Sequence, residues 1–136
     1  MDKDVIKNKI ESLIRCINRI QEKRPKDIEI LEQDFDIQDI IVLNIERAVQ
    51  ISVDIGSHIL SSCNISTPKT MSNVFVSLAE QKIIDTELAN NLAKAVGFRN
   101  MAVHAYQKID WDIVYHIINT DLKDFKQFIE EITKLL

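Results

Sequence analysis

Two glycines and two prolines are all that this chain of 136 residues contains, and that scarcity constrains the fold more than any other feature. A β fold needs such residues at its hairpins and bulges, and average usage would supply several times as many. The sequence is instead built to continue helices. Ile6, Ile10, Leu13, Ile14, Ile17 and Ile20 recur at three-to-four spacing with charged and amide side chains between them. That pattern predicts an amphipathic helix over about residues 3–23, closed by Arg24-Pro25 because a residue before proline is pushed out of the α region.

The same reading carries along the rest of the chain. Residues 26–34 are expected to hold a short helical turn, and a long helix runs from about Asp36 to Ser62. Ile41, Ile45, Ala48, Ile55 and Ile59 lie on one side of it, and Val42, Val49, Val53 and Leu60 on the other. A helix apolar around most of its circumference is either central in the domain or shared with a partner. SSCNISTPKT, residues 61–70, is the clear loop. A short helix with Val74, Phe75 and Leu78 inward follows it, and then a helix capped by Asp85 with Glu87 favourable to its dipole. Asp110 is placed to cap a last helix whose apolar stripe extends from Val114 to Leu136. The expected architecture is one domain, residues 1–136, folded as an all-α antiparallel bundle of four to five helices.

Charge and composition narrow the function. A net charge of −4 does not suit a domain that grips nucleic acid by bulk electrostatics, since such affinity comes from cations that displace counterions. Any such activity must come from a small local cluster of cations or from a surface completed by a partner. No apolar run approaches the roughly 20 residues needed to span a bilayer, and MDKDVIKNKI lacks a signal-peptide core. Cys16 and Cys63 fit neither a metal spacing nor a disulfide framework, and read as reduced thiols of a cytoplasmic protein.

One stretch carries more polar chemistry than packing requires. RNMAVHAY, residues 99–106, sets a guanidinium, an amide, an imidazole and a phenol at Arg99, Asn100, His104 and Tyr106. Asn100 and His104 share a helix face, whereas Arg99 and His104, five apart, point about 140° away from each other at roughly 100° per residue. Two routes could bring them together: a bend or close backbone approach at Gly97, or a symmetric dimer that apposes two copies of the motif. An arginine beside a histidine suits phosphodiester cleavage. The guanidinium holds two phosphate oxygens in a fork, and the imidazole moves a proton near neutral pH. RNA brings its own nucleophile, the 2′-OH, and the sequence has no HExxH, GxxxxGK[ST] or GxSxG motif and no His/Cys metal set. On spacing alone, Arg-x4-His is a pattern that chance produces often.

The surroundings of the motif are more specific. GFRNMAVHAYQKIDWDIVYHII, residues 97–118, strongly resembles the HepT-like toxins of the HEPN superfamily, whose hallmark is Arg-x4-His-x-Tyr with a polar residue directly after the arginine. NIERAVQISVDIGSHIL, residues 44–60, extends the resemblance, which covers nearly the whole chain. It implies an all-α homodimer acting as a metal-independent ribonuclease toxin without a cofactor, its two motifs meeting in the dimer cleft. It also implies a partner, an MntA-like nucleotidyltransferase antitoxin that transfers AMP from ATP to the motif tyrosine. Carried over, Arg99 would hold the scissile phosphate, His104 would be the general acid/base, Asn100 would orient the site and Tyr106 would accept AMP.

Other residues stay open between a functional and a plain reading. Glu46, Arg47 or Asp54 could stand in a second layer behind Arg99 and His104. Alternatively Arg47, Asp54 and His58 form a solvated stripe with an ordinary i,i+4 pair. Trp111, Tyr115 and His116 are expected to pack within the last helix rather than to stack bases. The competing function is a catalytically silent HEPN module that only binds and supports a nucleotidyltransferase, or a plain dimerisation domain.

Overall fold

In the computed structural model, which describes residues 1–136, the helices begin where the sequence offers a cap. Asp2 accepts from the backbone N–H groups of Asp4 and Val5 and opens α1, Lys3–Lys23. Asp27 opens the short α2, Ile28–Gln33, and Asp34 opens α3, Phe35–Ser62. Thr70 caps α4, Met71–Glu80, and Asp85 caps α5, Thr86–His104. After a 3₁₀ turn at Tyr106–Lys108, Asp110 opens the last helix, α6. It starts as Trp111–His116, passes through a π-helical turn at Ile117–Asp121 and continues as Leu122–Thr133. Each carboxylate or hydroxyl satisfies one or two of the N–H groups that a helix start leaves without partners.

α3 is the centre of the bundle. All nine apolar residues on its two sides are buried inside this one chain. Of the two explanations for its wide apolar circumference, a central position therefore suffices, and a partner is not required to cover them. α1 lies antiparallel along α3: the backbone N–H of Asp2 donates to Nε2 of His58 at 3.2 Å, and Lys9 stands 4.0 Å from Asp54. On another side α4 sits so close to α3 that Gly56 faces Val74 and Leu78 directly. Phe75 of α4 meets Phe128 of α6 edge to face, with ring centres 5.9 Å apart. Asn91 of α5 donates to Asp124 of α6 at 3.3 Å. One continuous core of 34 buried apolar residues draws on all six helices. No helix is long and apolar enough to cross a membrane.

Candidate functional site at the end of α5

The motif occupies the last two turns of α5 and the step beyond it. Ala105 breaks the helix with φ −145° and ψ 56°, so the chain turns at once into the 3₁₀ segment that carries Tyr106. Asn100 and His104 are exposed and Arg99 is half-buried. Arg99 Nη1 donates to Oδ1 of Asn100 at 3.1 Å, so the amide fixes one side of the guanidinium fork and leaves its other N–H groups for a ligand. Between Asn100 and His104 stands Val103, 47 % exposed.

Two carboxylates of α3 face this end of α5. Tyr106 Oη donates to Oδ1 of Asp39 at 2.7 Å, within the short range of hydrogen bonds to ionised oxygen. The ring is held from another side by Trp111, edge to face at 6.3 Å. Burial, the hydrogen bond to Asp39, and the charges of Asp39 and then Glu46 push the phenol up to about 12. Burial also raises the Glu46 carboxyl, while the Arg99 guanidinium pulls it down by less. Glu46 thus acts on both Arg99 and Tyr106. Each of these shifts has desolvation as its largest cause, which disfavours the charged form of an acid.

The structure sorts the sequence candidates into two groups. Arg99, Asn100, His104, Tyr106 and Glu46 lie at one end of the bundle. Arg47 and Asp54 are instead directed to α1. Burial raises the Cys16 thiol of α1, and Arg47 is the first of the charges that oppose the rise. Asp54 accepts from Gln50 at 3.0 Å and faces Lys9. Within this chain the neighbours of Arg47 and Asp54 therefore lie along α1 and α3. Successive residues of a helix point about 100° apart, so Glu46 and Arg47 look in different directions. His58 belongs to the same α1-facing stripe.

Gly97 also differs from expectation. α5 runs through it unbroken, and a Cβ there would meet nothing within 4 Å. Neither a break nor a close approach within the chain explains this glycine. Trp111 packs as expected, although its partner is Tyr106 of the motif itself. Tyr115 is half-buried and donates to the carbonyl of Lys26 at 3.3 Å, whereas His116 is exposed beside Asp121 at 3.7 Å rather than packed. Asp39 is the residue that the sequence reading missed. It lies seven positions before Glu46, two turns along the same helix face, and that spacing was the available signal.

No group of three or more His, Cys, Asp or Glu side chains is placed to hold a metal ion. A half-enclosed cavity of about 320 Å³ lies between α5 and the π turn of α6, lined by Asn91, Lys94, His116 and Asp124 among others. None of Arg99, Asn100, His104 and Tyr106 lines it, and a polymer strand needs an open approach such as the end of α5 offers.

The six-helix bundle thus gathers an arginine, an amide, an imidazole and a phenol at one open helix end. Residues 10–132 match the family described as Ribonuclease HepT-like. The chain is 41% identical over 129 residues to the mRNA nuclease HepT of Shewanella oneidensis, across 95% of this chain and 96% of that protein. It is 26% identical over 132 residues to the tRNA nuclease HepT of Aphanizomenon flos-aquae, across 97% of this chain and 90% of that one. Among solved structures it is similar to the tri-AMPylated Shewanella oneidensis HEPN toxin in complex with MNT antitoxin, with a TM-score of 0.91, 40% identity, and coverage of 98% of this chain and 99% of that chain. The chain belongs to the Ribonuclease HepT-like family.

Proposed function

We propose that this chain is the toxin of a toxin–antitoxin pair, an endoribonuclease that a nucleotidyltransferase antitoxin silences by transferring AMP to Tyr106. The observation that carries the reading is the grouping of Arg99, Asn100, His104 and Tyr106 at the open end of α5, in a chain that aligns nearly end to end with an mRNA nuclease. Arg99, steadied by Asn100, holds the scissile phosphate in its guanidinium fork. His104 moves the proton between the ribose 2′-OH and the leaving oxygen. The 2′-OH is the nucleophile, so the products carry a 2′,3′-cyclic phosphate and a 5′-hydroxyl. The relatives named as nucleases act on different RNAs, mRNA in one case and tRNA in another, so RNA is the substrate class proposed here.

A homodimer completes the site in this reading. Arg99 and His104 diverge on one unbroken helix, and two copies of α5 facing each other would bring one chain's arginine to the other's histidine. Open space at Gly97 and the exposed Val103 and Leu43 suit such a close approach. AMP on Tyr106 would add bulk and negative charge beside His104, where an RNA phosphate has to sit.

The test is cleavage of RNA by purified protein in excess EDTA, with product ends identified by mass spectrometry. Cleavage with cyclic phosphate ends is expected, together with loss of cleavage once the cognate nucleotidyltransferase and Mg-ATP are added. Tyr106→Phe should keep a substantial part of the nuclease activity and escape that silencing. A well-folded protein that cuts no RNA would favour the silent-module reading instead.

A further inference from the structure

We propose that Asp39 is the general base for AMP transfer to Tyr106, so that the toxin itself carries the proton acceptor for its own inactivation. The inference rests on the reading of Tyr106 as the AMP acceptor. Its own evidence is geometric. The phenol already points its proton at Oδ1 of Asp39 over 2.7 Å, and Trp111 holds the ring from the side so that the oxygen keeps this direction. Both Asp39 and Tyr106 are exposed, with Tyr106 at 38 %, so a second protein carrying a nucleotide can reach the pair without unfolding the rim.

The chemistry of the acceptor requires such a group. A phenol is a weak nucleophile while protonated, and this one is harder to ionise than most, being pushed up to about 12. The charged groups that act on it, Asp39 and Glu46, are both anionic and both belong to α3. They disfavour a phenolate formed in advance, so the proton has to leave as the new bond forms. In the transfer, Tyr106 Oη attacks the α-phosphorus of ATP. The Oη–Pα bond forms as the bond from Pα to the bridging oxygen breaks, and pyrophosphate leaves with that electron pair. The phenolic proton passes to the Asp39 carboxylate and from there to water. A carboxylate that accepts the proton of an attacking hydroxyl is a recurrent part of phosphoryl-group transfer, and here it already sits on the acceptor.

After transfer the oxygen has no hydrogen left to donate, and a phosphodiester charge stands next to Asp39 and Glu46. Like charges at that distance repel, so the carboxylate that assists the modification no longer holds the modified side chain.

The experiment measures AMP transfer to the purified toxin by the cognate nucleotidyltransferase with Mg-ATP. Intact mass and peptide mapping follow Tyr106 in wild type, Asp39→Asn, Asp39→Glu and Asp36→Asn, from mildly acidic to mildly alkaline pH. Asp36 is an exposed carboxylate in the first turn of the same helix and controls for net charge. Asp39→Asn should lower kcat for AMP transfer by about 10²–10⁴-fold, the usual scale for one acid/base group, with little change in KM for the toxin. Its residual rate should climb with pH, because solvent must now remove the proton. Asp39→Glu should restore part of the rate, and Asp36→Asn should match wild type. A wild-type kcat in Asp39→Asn, or a loss confined to KM, overturns the role of Asp39 while leaving Tyr106 as acceptor. If wild-type toxin takes no AMP on Tyr106, the acceptor reading itself falls and the base falls with it.

Discussion

Both glycines of this chain lie inside helices, for opposite physical reasons. Gly56 is buried in the middle of α3, where an added Cβ would come within 2.6 Å of Val74 Cγ1 and 3.0 Å of Leu78 Cδ1. It is the place where α4 presses onto α3, and the valine methyl cannot swing away because β-branched side chains are stiff at χ1. Gly97 is exposed on α5 two residues before Arg99, and an added Cβ would meet nothing. A glycine in an exposed helix costs about 1 kcal/mol relative to alanine, yet nothing within the chain requires it. The contrast separates a packed side, where stability is made, from an open end, where stability is given up at Gly97 and polar groups gather.

That division can be tested by asking each region for an effect the other should not show. The largest effect is expected from His104→Ala, which should reduce RNA cleavage by about 10²–10⁴-fold while leaving Tm unchanged, because an exposed acid/base group contributes to the reaction and not to packing. A clear drop in Tm would show that the open end is part of the packed region after all. Next comes Gly56→Ala. Overpacking costs about 1–3 kcal/mol, and the better helix propensity of alanine returns about 1 kcal/mol, so a net loss of up to about 2 kcal/mol in denaturant unfolding is expected, with cleavage by the folded fraction intact.

Gly97→Ala should act in the other direction, stabilising the chain by up to about 1 kcal/mol while weakening self-association measured by sedimentation, and with it cleavage. Unchanged association would remove the close approach proposed at this glycine. The smallest effect belongs to Asp124, which is buried at 7 % exposure. Burial raises its carboxyl most, and the Asn91 hydrogen bond opposes the rise. Its neutral form is therefore favoured in the folded state, and stability is lost as pH rises from the unfolded-state value of 3.8 through the folded one. Asp124→Asn should raise Tm at neutral pH and leave it nearly unchanged well below pH 3.8. An equal gain at both pH values would exclude ionisation as the cause.

Much of this arrangement was legible in the sequence because helix ends carry local signals. Asp85 and Asp110 cap the helices they were expected to cap, and Arg24-Pro25 closes α1 where the spacing placed its end. The π turn at Ile117–Asp121 was hidden. Ile117 and Ile118 are adjacent and both buried, so the apolar stripe can be drawn through either, and an extra residue in the turn leaves no gap in the pattern. The circumference of α3 was readable, whereas its cause was not, since core and interface demand the same side chains. The grouping of Arg99, Asn100, His104 and Tyr106 followed from their closeness along the chain. Asp39 could not be paired with Tyr106 in that way, because the two are 67 positions apart and meet only through the packing of α3 beside the end of α5. Arg47 and Asp54 sat near Glu46 in sequence and belong to another face of the same helix.

The separation of Asp39 from Tyr106 also sets a clock. Ribosomes add about 5–20 residues per second, and α1 and α3 are both complete long before the motif is made. Phe128 follows Tyr106 by 22 residues, about 1–4 s of further synthesis at that pace. Those residues include Trp111, which steadies the Tyr106 ring, and Phe128, which locks α6 onto α4. Until those residues have been made, the Tyr106 ring lacks its Trp111 neighbour, and the site takes its shape only as the last helix docks.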